Sequence, residues 1–292
     1  MKAHAITESY PMAPSPAKPL VVWIITDMEG LSGVDHWDQC YDPDDESPKY
    51  RHGCEQLVAD TNAAVAGCFD AGAAEVRVVD GHGRNRNKAL ARYGFDPRAK
   101  LVWIGSRNPI RWEGLDESVT AVACVGQHAM AGTLRGFLDH TQIPKQLCRF
   151  TINGEEHGEM SQLAMCAGHY GIPLVYASGD EALCEEARRL FPWVKTTPTK
   201  KGTGWGTCEL YSVERVRAAI RKDFALALKN LGTMKAWKPA LPAEISVEWA
   251  WSEKADQMSV HPGVKRPHAR TVQWTIRDAR DIYTYPNQNW YP

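Results

Sequence analysis

The sequence lacks a charge excess of either sign: 34 Lys and Arg stand against 35 Asp and Glu, leaving a formal net charge of −1. Binding to nucleic acid or to an anionic membrane surface needs clustered positive charge. Acids and bases are mixed along this chain, so neither partner is expected and a small neutral or amphoteric ligand is. Apolar runs near the ~20 residues that cross a bilayer are also missing. Residues 1–19 hold Pro11, Pro14, Pro16 and Pro19 but no apolar signal-peptide core, and read as a flexible leader. The eight cysteines include no CxxC pair, which removes zinc ribbons and dithiol redox motifs. Several lie in apolar surroundings, such as Cys124 in Val122-Ala123-Cys124-Val125 and Cys166 in Ala164-Met165-Cys166-Ala167, where a reduced thiol acts as a small hydrophobe. A reducing, cytoplasmic compartment is therefore expected.

What is present is enough apolar sequence for a large core: 292 residues, 43% of them hydrophobic. Leu20 to Thr26 is a short β-branched run ending at Asp27, the pattern of a strand buried on both faces. Arg51 to Ala71 carries small and apolar residues at helical spacing and stops at Gly72; Glu75 to Val79 then reads as a second strand. Strand, helix, strand in this order implies a right-handed parallel crossover. Further strands are expected at Lys100 to Ile104, Thr120 to Val125, Cys148 to Ile152 and Pro173 to Ala177, with helices from Gly158 to His169 and Asp180 to Phe191. Beyond the glycine-rich stretch Lys201 to Gly206, a helix from Val213 to Leu231 and strands at Ile245 to Trp251 and Thr271 to Ile276 follow. The expected fold is α/β: a layered αβα sandwich with a mainly parallel central sheet and a smaller C-terminal α+β subdomain. The expected division is leader 1–19, catalytic domain 20–203 and a subdomain over 204–292.

Ligands of parallel sheets gather at the carboxyl ends of strands, and this chain places polar residues there repeatedly. Asp27 and Glu29 follow the first strand, His82 the second and His128 the Thr120 to Val125 strand; Glu159 opens the helix after the Cys148 to Ile152 strand. Each has an ordinary structural reading: a strand-end Asp caps turns, a lone His is a hydrogen-bonded core or surface residue, and a Glu at a helix start complements the helix dipole. Recurrence at successive strand ends favours a shared site. Carboxylates with imidazoles suit zinc, with manganese or cobalt as alternatives. Five ligands suffice for two ions if one carboxylate bridges. Asp27 is the natural bridge, because Gly30 lets the following loop turn tightly and return Glu29 to the same centre. His36 and His52 read as loop residues bordering a channel at most, His157 as part of a solvated turn beside Glu155 and Glu156, and the eleven tryptophans as core and subunit contacts.

Asp27-Met28-Glu29-Gly30-Leu31-Ser32-Gly33 resembles the DMEGxSG signature of the DppA-type D-aminopeptidase family, a group of dinuclear zinc metallopeptidases. The similarity continues in order through Asp80-Gly81-His82, Gly126-Gln127-His128-Ala129, Gly136-Phe137-Leu138-Asp139-His140, Ile152-Asn153-Gly154 with Gly158-Glu159, and Ser178-Gly179-Asp180, spanning residues 20 to 285. The resemblance implies two Zn2+ per subunit held by Asp27, Glu29, His82, His128 and Glu159. It makes His140 the catalytic histidine, as nucleophile or as general acid and base, a role the residue pattern alone does not give it. It further implies a small peptide or amide substrate with a free amino group, and a homo-oligomer, in the family a ring of subunits and here expected as a decamer. Gly204-Trp205-Gly206-Thr207 and the ending Tyr285 to Trp290 depart from the family and bear on substrate choice and packing. Two other readings stay open: a dinuclear amidohydrolase for a non-peptide amide, and a non-catalytic α/β binding protein.

Overall fold

A computed structural model describes residues 18–42, 47–83, 88–103 and 112–283. Most of the leader, Ile104 and the ending Tyr285 to Trp290 lie outside the described residues. The chain opens with β1 (Val21–Thr26), whose alternate side chains face two different cores: Val22 and Ile24 one way, Val21 and Trp23 the other. That two-sided burial is what an apolar run without polar alternation demands. α1 (Pro48–Asp70) starts at the Ser47 cap, whose hydroxyl accepts from Tyr50 N at 3.2 Å, with Pro48 at the position where a missing N–H costs nothing. β2 (Glu75–Asp80), α2 (Lys88–Arg92), β3 (Lys100–Leu101) and β4 (Ala121–Gln127) follow. β5 (Leu147–Ile152) and β6 (Glu155–Glu156) precede α3 (Glu159–His169), and β7 (Leu174–Asp180) runs directly into α4 (Glu181–Leu190), capped by the Asp180 carboxylate. Next come β8 (Lys195–Gly204), β9 (Thr207–Leu210) and α5 (Val213–Lys229), then β10 (Ala243–Trp249), α6 (Ser252–Ser259), β11 (Lys265–His268) and β12 (Thr271–Ile276).

The larger sheet has the order β3-β2-β1-β4-β7-β8-β9 and is parallel except for the β8–β9 hairpin. α1 and α5 cover one face, where Leu57, Val65, Ile220 and Phe224 join Ile24 and Val125. α3 and α4 cover the other, and α3 lies between this sheet and a second one, of order β11-β12-β10-β5-β6. Met160 to Gly168 are all buried, as a helix enclosed on every side requires. The architecture is the expected layered α/β fold.

Two strand assignments differ from the sequence reading. Cys148 to Ile152 does not extend the parallel sheet; as β5 it pairs antiparallel with β10, Phe150 opposite Val247 and Ile152 opposite Ile245. Local sequence fixes a strand's apolar face but not which sheet receives it. The glycine-rich stretch Lys201 to Gly206 is no connector either: it completes β8 and turns into β9 at Trp205-Gly206. Sheet membership therefore crosses residue 204 in both directions, with β5 and β6 in the second sheet and β9 and α5 against the first. Of the tryptophans, Trp23 and Trp249 are core residues, whereas Trp251 is 73% exposed.

Candidate metal centre

β2, β1 and β4 are neighbours, and the chain passes from one side of β1 to the other between β2 and β4. This switch point opens a crevice at the carboxyl ends of the strands. Asp27 follows β1, His82 follows β2 and His128 follows β4, so residues far apart in sequence emerge side by side. Two glycines let the strand ends close. Gly126 has φ +74°, and a Cβ there would stand 2.4 Å from Asp27 O; a Cβ on Gly30 would stand 2.1 Å from Gln127 O. With neither present, Asp27 N donates to Val125 O at 2.9 Å and Gly30 N to Gly126 O at 2.8 Å.

The Asp27, Glu29 and His128 ligand atoms lie within 4.8 Å of one another, and so do those of His128, His140 and Glu159. His82 joins through Nε2, 3.5 Å from Glu29 Oε1. His128 Nε2 is 3.4 Å from Asp27 Oδ2 and 3.5 Å from Glu159 Oε1. All six residues indicated by the sequence thus share one centre. These separations exceed a good hydrogen bond, and Glu29 Oε2, His82 Nε2 and His128 Nε2 are buried with no hydrogen-bond partner. Ligands roughly 2.0–2.1 Å from a tetrahedral cation are about 3.4 Å from each other. The centre fits a divalent transition metal in donor type, spacing and uncompensated lone pairs.

Neighbouring groups orient the donors. Ala129 O lies 2.9 Å from His128 Nδ1 and Leu138 O lies 2.7 Å from His140 Nδ1; each carbonyl accepts from the Nδ1–H, which turns Nε2 towards the centre. Gln127 Nε2 donates to Asp27 Oδ2 at 2.8 Å, Tyr41 Oη to Glu29 Oε1 at 2.7 Å and Gln142 N to Glu159 Oε1 at 2.6 Å. The Lys200 ammonium, wholly buried, donates to Glu29 O at 2.6 Å and Val34 O at 2.5 Å and fixes the loop after β1. Asp139, beside His140, instead accepts from Gly132 N at 2.7 Å and shapes its loop.

Charges within the centre set the protonation. Burial, then Glu29, raises the Asp27 carboxyl well above the usual range. Burial also disfavours ionised Glu29, but His82 outweighs it and holds the carboxyl low. Burial opposes protonation of His82, yet Glu29 and Asp27 bring it up to about 9. Glu159 likewise raises His128 against burial. His140 is brought down to about 4 by burial and by the His128 ring stacked on it at 3.7 Å. A neutral His140 beside a cationic neighbourhood is the result.

The residues set aside in the sequence stay outside. His36 caps the turn at Trp37–Gln39, accepting from Asp38 N at 3.1 Å, and His52 Nε2 is 3.3 Å from Gly33 O. His157 requires a correction: it is no solvated turn residue but 3% exposed, because the Trp237 ring packs against its own at 5.0 Å and its backbone N–H is tied to Phe150 O at 3.1 Å. Gln127 lay within a legible motif; Tyr41, Gln142 and Lys200 gave no local signal, since their partners are set by the fold.

A mainly parallel α/β scaffold with clustered carboxylates and imidazoles at its switch point defines an enzyme suited to metal-dependent hydrolysis. The chain belongs to the D-aminopeptidase family, whose model matches residues 20–287, and is a peptidase. The D-aminopeptidase of Bacillus subtilis strain 168 is 29% identical over 269 residues, covering 90% of this chain and 93% of the relative. A solved structure, described as the Zn-dependent D-aminopeptidase DppA from Bacillus subtilis, a self-compartmentalizing protease, superposes with a TM-score of 0.83. It is 27% identical, covering 90% of this chain and 94% of that one.

Proposed function

We propose that this chain is a zinc-dependent D-aminopeptidase in which Asp27, Glu29, His82, His128 and Glu159 hold two Zn2+ ions and His140 moves the proton. The observation that carries the reading is the convergence of unpartnered Nε2 and carboxylate atoms from three adjacent strand ends. Asp27 would hold both ions, because it follows the central strand β1, with His82 after β2 on one side and His128 after β4 on the other. Bound zinc supplies a Lewis acid and lowers the pKa of water towards 7.

The chain's own groups do the rest. His140, tied through Nδ1 to Leu138 O, presents Nε2 as a neutral proton acceptor and returns the proton to the departing amine. Tyr41 and Gln142 hold the Glu29 and Glu159 carboxylates in place while charge changes beside them.

A reducing, cytoplasmic setting agrees with all eight cysteines being free. Among the described residues no helix is long and apolar enough to cross a membrane. Assembly into a closed homo-oligomer, a ten-subunit ring, is part of the proposal, supported by the self-compartmentalizing description of the similar structure; light scattering reads it directly.

The deciding experiment is metal analysis with a substrate panel. Two zinc ions per chain, chelator-sensitive activity and faster cleavage of D-Ala dipeptides than of L-Ala dipeptides or simple aryl and alkyl amides are expected. Faster cleavage of the simple amides would favour a non-peptide amidohydrolase, and a zinc-free protein indifferent to chelators would reduce the chain to a binding module.

A further inference from the structure

Beside the centre, three aromatic rings and one lysine form an arrangement that the hydrolytic chemistry leaves unused. Trp37 stacks on Tyr41 with ring centroids 3.9 Å apart, and Tyr41 reaches the centre through its hydrogen bond to Glu29 and its ring contact with His82 at 5.0 Å. Trp205, in the β8–β9 turn, lies 5.4 Å from Trp37. Two hydrogen bonds fasten it to the segment bearing His140: Leu138 N donates to Trp205 O at 2.6 Å, and Trp205 Nε1 donates to Asp139 O at 3.2 Å. The Lys145 ammonium stands 5.1 Å from the Trp37 ring and 4.9 Å from the Trp205 ring.

The position of Lys145 is built, not incidental. Its φ is +64° and that of Gln142 is +62°, backbone states that non-glycine residues adopt only when surroundings impose them. Gln142 anchors this loop at both ends of its side, donating from N to Glu159 Oε1 and from Nε2 to Gln162 Oε1 at 2.8 Å. Among the described residues no carboxylate pairs with Lys145, although the chain has as many acids as bases. Ring faces orient an ammonium without consuming its three N–H donors. What remains is an oriented, exposed cation at the rim of a centre that takes an amino terminus.

We propose that Lys145, held against Trp37 and Trp205, binds the terminal carboxylate of a short unblocked peptide. The inference rests on the aminopeptidase reading above and adds to it a residue that selects for a free carboxyl end.

The test compares D-Ala-D-Ala with D-Ala-D-Ala-amide in the wild type and in Lys145→Met, which keeps an apolar stem against the rings. The wild type is expected to favour the free carboxylate by tenfold or more in kcat/KM. Lys145→Met is expected to lose that preference through KM for the free dipeptide, with the amide within about twofold of wild type, zinc content unchanged, and partial rescue by Lys145→Arg. A preference that survives in Lys145→Met, or is missing from the wild type, overturns the subsite alone. Hydrolysis of neither peptide by the zinc-loaded wild type overturns the aminopeptidase reading, and the subsite with it.

Discussion

Single residues divide here into those that donate to the centre and those that aim the donors, and the two groups predict different losses. His140→Ala should keep its zinc while turnover falls by roughly 10²–10⁴-fold, the range of a lost proton-transfer group; metal content and kcat measured on one preparation separate this from a ligand defect. Tyr41→Phe removes only the hydroxyl that donates to Glu29 Oε1 at 2.7 Å. A supporting group of that kind is worth about 10–100-fold in metal affinity, so competition titration with a chelator should show weaker zinc, whereas unchanged affinity would make the tyrosine a packing residue. The five candidate ligands were legible because each follows a strand or opens a helix within a recognisable motif, and His140 only through the resemblance of Gly136 to His140 to a family motif. Tyr41 was not, since nothing in Gln39-Cys40-Tyr41-Asp42 shows which carboxylate its hydroxyl meets.

At the scale of elements, the centre depends on how closely the ends of β1 and β4 approach. Gly126→Ala introduces a Cβ 2.4 Å from Asp27 O at a backbone with φ +74°. Left-handed strain alone costs on the order of 1–3 kcal/mol, and the clash must also push Asp27 away. Denaturant unfolding and zinc analysis should therefore both report a loss. Gly72→Ala is the control, because Gly72 has φ +86° but nothing within 4 Å of an added Cβ; it should lose stability and keep zinc. Equal zinc loss in both variants would show that the approach of the strands is not what forms the site. Most element positions followed from periodicity and capping residues. That of β5 did too, but not its sheet, because a strand of six residues carries no mark of the sheet that receives it, and β8 was missed because its glycines and lysines break the apolar pattern of a strand.

For the whole molecule, burial couples the second core to pH. Glu186 on α4 is 5% exposed; its Oε2 accepts from Met130 N at 2.8 Å, its Oε1 has no partner, and burial raises the carboxyl from 4.5 to about 7. A carboxyl raised in the folded state contributes stability fully below its unfolded value, and that contribution fades as pH climbs from 4.5 through about 7. Zinc-stripped wild type should thus be less stable at pH 8 than at pH 5.5, by on the order of 2 kcal/mol from this group. Glu186→Gln keeps the acceptor for Met130 N and should shrink the difference. Thermal melts at the two pH values decide it, and an undiminished difference in the variant would acquit Glu186.

The sequence by itself determined the alternation of strands and helices, the absence of a membrane span, and a list of carboxylates and imidazoles, because these depend on neighbours within a few positions. Only the tertiary structure decided that β1 lies between β2 and β4, so that Asp27, His82 and His128 meet, and that α3 lies between two sheets with Glu159 at its start beside His128. It also decided the partners of Tyr41, Lys145 and Lys200. Such contacts join residues from 12 to 171 positions apart, and they are selected by the packing of whole layers, which no local run of residues encodes.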